Sequence, residues 1–188
     1  MKLVLLGIQG AGKSTQGKLL SKELKLPYLS SGHIFREMAK KRTKRGRWLK
    51  ETLNAGVLVP DDTTVEIVLE YLEKSEYQKG FIIDGFPRTL AQAEAFANGE
   101  IAIFIDVSDK EALWRISGRT DAREDETLQA IRQRIQLFHE HTAPVLEFYK
   151  KQGKLIKVNG EKTVEQVYEQ IVKKLTKLQK RLKKQQQK

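Results

Sequence analysis

The chain has 188 residues, of which 39% are hydrophobic, and it carries a formal net charge of +11 at pH 7. A chain of this length can bury one sizeable core. It contains no cysteine, which excludes disulfides, iron–sulfur clusters and thiolate zinc sites. No run of about 18 apolar residues is present, so we expect no transmembrane helix and no membrane partner. These features predict a cytoplasmic protein.

The positive charge is concentrated in two segments. Residues 173–188 contain eight Lys or Arg and no acid, which leaves +3 for the rest of the chain. Six more cations lie within residues 40–47. Apart from Trp48, neither segment interleaves aromatic residues for base stacking. We therefore favour solvated basic surfaces over contact with RNA or an acidic membrane.

The first 14 residues combine three features that belong together. Residues 3–6 are apolar and predict a buried strand. Gly7, Gly12, Lys13 and Ser14 fit the phosphate-loop pattern G-x-x-x-x-G-K-[ST], and an amphipathic helix follows at once. Strand, loop and helix in this order are the context that the pattern requires.

The chemistry of this loop suits a polyphosphate. Glycines at 7, 10 and 12 let the backbone turn its N–H groups inward, and the helix N-terminus adds partial positive charge. Lys13 can reach the β- and γ-phosphates, and the Ser14 hydroxyl can bind Mg²⁺. The sequence therefore predicts a nucleoside triphosphate site with Mg²⁺ as its cofactor.

Hydrophobic periodicity and turn residues predict the remaining elements. In chain order they are an extended segment at 28–29, helices at 33–41, 48–53 and 63–73, a strand at 80–84, a helix at 89–96, a strand at 101–107, helices at 110–117 and 127–151, a strand at 155–158 and a helix at 164–182. We expect a serine N-cap at 30–31, a break at Gly46, an acidic cap from Asp61 and Asp62, and a kink at Pro144.

Apolar strands that alternate with helices predict a parallel sheet covered on both faces. We expect the three-layer α/β fold of P-loop NTPases, as one domain with a five-stranded parallel sheet. Its core spans 1–29, 60–118 and 127–182. Two charged segments with few strand signals, 30–59 and 119–126, are expected as insertions at the carboxyl ends of the strands. The basic tail, 183–188, is expected to fray.

Five motifs along the chain resemble the adenylate kinases, in the same order as in that family. They are GIQGAGKS (7–14), LSSGHIFR (29–36), GVLVPD (56–61), DGFPRTLAQ (84–92) and TAP (142–144). The resemblance spans essentially the whole chain. It implies reversible transfer of the γ-phosphoryl group of MgATP to AMP, giving two ADP, by a core with a nucleoside monophosphate-binding insertion and a lid.

Phosphoryl transfer between two nucleotides needs alignment and cations more than covalent chemistry. Guanidinium groups suit this task because they bind phosphate oxygens bidentately and do not lose their proton. The chain offers arginines throughout the relevant segments: Arg36, Arg88, Arg115, Arg119, Arg123, Arg132 and Arg134. Arg132 lies two residues from Arg134 on a helix, so it is equally well explained as a surface residue.

On the acceptor side, the resemblance implies that Arg36 and Arg88 hold the AMP phosphate. Ser31 and Gln92 would read the adenine. The complete AMP set is Ser31, Gly32, Arg36, Val57, Val59, Gly85, Arg88, Gln92, Arg123 and Arg134.

On the donor side, the resemblance implies an ATP set of Gly10, Ala11, Gly12, Lys13, Ser14, Thr15, Arg115, Arg119 and Lys162. Arg115 would stack on the ATP adenine. Asp84 would orient Mg²⁺ through water, beside Ser14. The catalytic set is Lys13, Arg88, Arg119, Arg123 and Arg134.

Three departures from the family pattern affect these expectations. His33 stands where the family usually has Asp, and Ser31 stands where Thr is commoner. Only three residues separate Arg119 from Arg123, which leaves no room for the long zinc-bearing lid of some relatives. We therefore expect no zinc and a very short lid, in a monomer. His33, His139 and His141 lack the spacing of a metal site and are expected to be structural or on the surface.

Two other functions stay open from the sequence. A UMP/CMP kinase or a GTP-using relative would share most of these motifs, because the choice of base depends on a few side chains. An ATP-binding regulatory or RNA-associated module would be expected to lack catalytic arginines, and none is absent here.

Overall fold

The computed structural model describes residues 1–96, 100–118 and 127–186. The short lid expected at 119–126, with Arg119 and Arg123, lies outside the described residues. Five strands are present in the described chain: β1 (Lys2–Leu6), β2 (Tyr28–Ser30), β3 (Phe81–Asp84), β4 (Ile101–Asp106) and β5 (Leu155–Asn159). The helices there are α1 (Lys13–Leu24), α2 (Ser31–Ala39), α3 (Lys44–Ala55), α4 (Asp61–Leu72), α5 (Leu90–Phe96), α6 (Asp109–Ser117), α7 (Leu128–Leu137), α8 (Ala143–Lys151) and α9 (Val164–Gln186).

The five strands form one parallel sheet in the order β2-β3-β1-β4-β5. Strand β1 lies at the centre, with Leu3 opposite Ile82 on one side and Ile101 on the other. The chain builds β2 and β3 on one side of β1 before it crosses to β4. The carboxyl end of β1 therefore lies where the strand order reverses, which is where open α/β sheets bind ligands. The expected α/β architecture is confirmed.

Each face of the sheet is covered by its own apolar cluster. Leu3 and Leu5 point into the cluster that α1 and α9 cover, and Val4 and Leu6 point into the opposite one. All four side chains are buried. Because successive side chains of a strand point to opposite faces, this double burial explains why β1 is apolar at every one of these positions.

Helices α2 and α3 join β2 to the segment before α4. The Ser30 side chain accepts a hydrogen bond from the His33 N–H, which confirms the serine N-cap. The expected break at Gly46 is wrong. Gly46 lies in the first turn of α3, and a Cβ there would be 2.2 Å from the Lys41 carbonyl oxygen. Glycine is needed here because the Lys41 carbonyl leaves no room for a Cβ, and α3 continues through Gly46 without a break.

The expected cap from Asp61 and Asp62 is also wrong. Helix α4 begins at Asp61, its N-cap position is Pro60, and both acids lie in its first turn. Acids in a first turn stabilise a helix through its dipole without capping it. The Asp61 carboxylate instead accepts a hydrogen bond from Gln92 on α5.

The helical stretch expected at 127–151 is interrupted, although not at the proline itself. Helix α7 ends at Leu137, and a π-helical turn (Phe138–Thr142) joins it to α8. Pro144 lies in the first turn of α8, where the lack of an N–H costs no helical hydrogen bond. The change in backbone path therefore precedes Pro144 and presents Thr142 to the interior.

Helix α9 extends to Gln186, so the fraying expected from residue 183 is wrong over 183–186. Its buried stripe contains Val167, Ile171, Leu175 and Leu178. Lys183 and Lys184 are exposed. In the parts of the chain that the structure describes, no helix combines the length and apolarity needed to cross a bilayer.

Truncation of α9 tests how far the core extends. Ending the chain after Val167 removes Ile171, Leu175 and Leu178, and each buried side chain is worth about 1.5–3 kcal/mol. The sum is of the order of a domain's whole stability, so we expect this variant to be largely unfolded by circular dichroism. Ending the chain after Leu182 should leave Tm nearly unchanged. A folded shorter variant would contradict the assignment of α9 to the core.

Candidate active site

The phosphate loop between β1 and α1 depends on backbone conformations that favour glycine. Gly10 and Gly12 have φ values of +90° and +87°. A Cβ on Gly10 would lie 2.6 Å from the Ala112 carbonyl oxygen of α6. Gly12 is the N-cap of α1, and among the described residues no side chain caps this helix. The N–H groups of its first turn are therefore available to an anion.

Lys13 is the first residue of α1, and its side chain folds back over the loop. Its Nζ donates hydrogen bonds to the carbonyl oxygens of Gly7 (2.8 Å) and Ile8 (2.9 Å). These bonds fix the ammonium group at the mouth of the loop, where Gly12 and Ser14 also line the central cavity.

The described residues that line the cavity beside the loop carry an excess of positive charge. Among the described residues that line it, the charged ones are four cations and one acid: Lys13, Arg36, Arg88, Arg134 and Asp84. The cations come from α1, α2, the β3–α5 connection and α7. A concave site with this excess of positive charge favours a polyanion such as a nucleotide phosphate chain.

Arg88 is held through its backbone and its side chain. Its Nε donates to the Gly85 carbonyl (2.8 Å) and its N–H donates to Gln92 Oε1 (2.7 Å). Its own carbonyl accepts a hydrogen bond from Thr142 Oγ1 (2.8 Å), from the π-helical turn. These contacts fix where the guanidinium enters the cavity, which suits a group that must meet a phosphate in one geometry.

Arg36 and Arg134 approach the cavity from two other elements. Gly32 leaves room for Arg36, because a Cβ there would be 3.3 Å from its Nη1. Arg134 donates to Gln9 Oε1 in the phosphate loop (3.2 Å) and to the Leu53 carbonyl at the end of α3 (2.8 Å). A single guanidinium therefore connects the phosphate loop with the insertion.

Asp84 ends β3 and is buried at 8% exposure. Its Oδ2 accepts a hydrogen bond from the Tyr28 hydroxyl (2.9 Å), and its carbonyl accepts one from Ser31 Oγ (3.3 Å). The first of these bonds orients a carboxylate that faces the cavity, because buried polar groups keep their hydrogen-bond partners.

The residues fit a magnesium ion that arrives with a nucleotide. Ser14 and Asp84 offer oxygen donors on the cavity wall, and Mg²⁺ usually binds through one or two carboxylates together with substrate phosphates. In the described part of the chain, no group of three or more His, Cys, Asp or Glu residues could hold a metal alone.

Arg115 and Lys162 are not among the residues that line the cavity. Arg115 donates to Glu111 (2.7 Å) and to the Gly160 carbonyl (2.9 Å), and Lys162 is exposed in the same β5–α9 connection. Glu161 anchors this connection to Ser108. The side-chain hydrogen bond from Ser108, and then its backbone N–H bond, lower the pKa of Glu161.

The cavity brings together most of the residues expected from the sequence. They are Gly10, Gly12, Lys13, Ser14, Gly32, Arg36, Val57, Val59, Asp84, Gly85, Arg88, Gln92 and Arg134. Ala11 and Ser31 are buried outside the cavity lining, and Thr15 is exposed. Arg132 is exposed in a separate depression with His139. His33 is exposed on α2.

Several contributors were not identified from the sequence. Gln9 holds Arg134, Tyr28 holds Asp84, and Thr142 holds Arg88. Gln9 and Thr142 belong to quoted motifs, but their roles depend on partners in distant parts of the chain. No local pattern marks Tyr28, since it pairs with a residue 56 positions away.

A phosphate loop that faces arginines from three other parts of the fold defines an enzyme that transfers phosphoryl groups. Similarity to known proteins narrows this class of enzyme to one family. A family model described as adenylate kinase matches residues 5–154. The chain belongs to the adenylate kinase family, and it is a nucleoside monophosphate kinase.

The similar proteins cover nearly the whole chain. An adenylate kinase from Encephalitozoon cuniculi is 39% identical over 171 residues, covering 90% of this chain and 95% of that protein. One from Azobacteroides pseudotrichonymphae is 37% identical over 188 residues, covering 95% and 98%. One from Caldicellulosiruptor bescii is 33% identical over 212 residues, covering 93% and 99%. The last alignment is longer than this chain, so that relative has residues that this chain lacks.

The bond between Tyr28 and Asp84 can be measured by a double-mutant cycle. We expect Tyr28→Phe to lower the free energy of unfolding by about 1.5–3 kcal/mol, the usual contribution of a hydrogen bond to a charged group. In an Asp84→Ala background the same substitution should cost much less. Urea unfolding of the four proteins measures the coupling, with Tyr71→Phe on α4 as the control. Additivity within about 0.5 kcal/mol would contradict the assignment.

Proposed function

We propose that this chain catalyses the reversible transfer of the γ-phosphoryl group of MgATP to AMP, giving two ADP. The observation that carries this proposal is the shared cavity. The phosphate loop lines it together with Arg36 of α2, Arg88 of the β3–α5 connection and Gln92 of α5. One phosphate-binding element would serve a nucleotide-binding module, whereas two that face each other suit transfer between two nucleotides.

The donor nucleotide is assigned to the phosphate loop. Backbone N–H groups of residues 10–15 would surround its phosphates, and Lys13 would contact the transferring end. Arg115 and Lys162 lie on the flank where the ATP adenine would bind. Mg²⁺ would neutralise charge between the β- and γ-phosphates, held beside Ser14 and, through water, by Asp84.

The acceptor nucleotide is assigned to the opposite wall. Arg36 and Arg88 would grip its single phosphate, supported by the bonds that hold Arg88 to Gly85 and Thr142. Gln92 and Ser31 would read its base. The remaining acceptor contacts are assigned to Gly32, Val57, Val59 and Gly85.

Catalysis is assigned to positioned cations and to no covalent intermediate. Lys13, Arg88 and Arg134 line the space where two phosphate chains would meet. Charge on the transferring group is stabilised best by donors that are already in place. Arg119 and Arg123, which lie outside the described residues, are proposed to complete this set from a very short lid.

The proposed activity also divides the chain into functional segments. We propose a core (1–29, 60–118 and 127–182), an acceptor insertion (30–59), a lid (119–126) that binds no zinc, and a basic tail (183–188). The chain is proposed to act as a cytoplasmic monomer. Its lack of cysteine supports that location, since nothing in it depends on an oxidising compartment.

A panel of acceptors and donors tests the proposed substrates. With ATP as donor, we expect kcat/KM for AMP to exceed that for IMP, GMP or UMP by at least about a hundredfold, because a site that hydrogen-bonds one base leaves its polar groups unpaired with another. A preference for UMP or CMP, or for GTP as donor, would replace AMP or ATP in the assignment. No transfer with any pair would favour a binding module.

Arg88→Lys tests the acceptor phosphate site. Lysine keeps the charge but loses the planar fork that binds two phosphate oxygens. We expect KM for AMP to rise about tenfold or more, the scale of one strong hydrogen bond, with little change in KM for ATP. Steady-state kinetics measure both values. Arg132→Lys, at an exposed arginine of α7, is the matched control. Equal damage to both substrates would place Arg88 outside the acceptor site.

A further inference from the structure

The side-chain amide of Gln92 is held at both ends. Its Oε1 accepts a hydrogen bond from the Arg88 N–H (2.7 Å), and its Nε2 donates one to Asp61 Oδ1 (2.7 Å). Gln92 is 1% exposed and lines the central cavity. Asp61 reaches it from the first turn of α4, 31 residues away in the chain.

These two partners leave the amide a single orientation. A backbone N–H can only donate and a carboxylate can only accept. If the amide of Gln92 turned over, its oxygen would face the Asp61 carboxylate and its NH₂ group would face the Arg88 N–H. Both contacts would be repulsive, and because Gln92 is buried, water would relieve them only in part. The Arg88 N–H belongs to the backbone and is the same in every variant. Asp61 is therefore the partner of Gln92 that a substitution can change.

A glutamine amide has two N–H donors and two oxygen lone pairs. Among the hydrogen bonds of the described residues, those to Arg88 and Asp61 use one of each. One N–H and one lone pair, on neighbouring atoms in a fixed order, are left for a ligand. That pair matches a base edge that presents an acceptor beside a donor.

We propose that Asp61 determines base specificity by fixing the orientation of the Gln92 amide. This inference rests on the proposed reading of the acceptor base by Gln92. Adenine presents a ring nitrogen acceptor at N1 and an amino donor at N6, which pair with the remaining N–H and lone pair. Hypoxanthine presents N1–H and O6, the same two positions with donor and acceptor exchanged. Asp61 is therefore a positioning residue that discriminates AMP from IMP.

The first turn of α4 provides a matched control. Asp62 also lies in this turn, so it contributes the same charge to the helix dipole, but it is exposed. Asp61→Asn and Asp62→Asn each remove one negative charge. Only Asp61→Asn gives Gln92 a partner that can donate as well as accept, and so permits the amide to turn over.

The experiment is the ratio of kcat/KM for AMP to kcat/KM for IMP, with saturating MgATP, in the intact chain. We expect this ratio to fall at least about tenfold in Asp61→Asn, the equivalent of one hydrogen bond. In Asp62→Asn it should stay within about twofold. Asp61→Ala, which offers Gln92 no partner, should lower the ratio as well. It replaces Asp61→Asn in the experiment if the asparagine variant does not fold.

The companion variant Gln92→Ala distinguishes the role of Asp61 from the reading of the base by Gln92. If it lowers the ratio while both Asp61 variants leave it unchanged, the role of Asp61 is overturned and the reading of the base by Gln92 stands. If Gln92→Ala itself leaves the ratio unchanged, then Gln92 does not read the base and both assignments fail. A ratio that falls equally in Asp61→Asn and Asp62→Asn would assign the effect to charge at the helix terminus and overturn the inference.

Discussion

Four cations line one cavity, and the surrounding fold must hold them there against their mutual repulsion. Lys13 donates to the carbonyls of Gly7 and Ile8, Arg88 to that of Gly85, and Arg134 to that of Leu53. Carbonyl oxygens carry partial charges, so these contacts position the cations without cancelling their charge. These contacts hold the side chains in place for a polyphosphate without adding a negative charge of their own.

The topology brings these groups together. The carboxyl ends of β1 and β3 are neighbours in the sheet, so the phosphate loop after β1 lies beside Asp84 at the end of β3. The connection after β3 supplies Arg88, and the π-helical turn between α7 and α8 supplies the hydroxyl that holds its carbonyl. Each functional group leaves a rigid element within a few residues, which limits how far the site can deform.

Sequence reasoning identified most of the residues that line the cavity and missed most of the residues that hold them in place. The phosphate loop and β1 are encoded locally, by glycine spacing and by an apolar run, so both could be predicted. The partnership of Tyr28 with Asp84 depends on β2 lying beside β3, which no local pattern reveals. The acids at the start of α4 were misjudged because a cap and a first turn differ by only one or two positions, and aspartate suits both. Gly46 was misjudged because close packing and helix breaking favour the same residue.

Arg134 donates to both Gln9 and Leu53, so one side chain joins the phosphate loop to the insertion. Thermodynamic linkage gives this arrangement a definite consequence. If a ligand on one side draws the guanidinium towards itself, the contact on the other side changes in free energy at the same time. Any factor by which occupancy of the loop alters affinity at the insertion must then equal the factor in the reverse direction. Any cooperativity between the two halves of the cavity that acts through Arg134, of either sign, would be reciprocal.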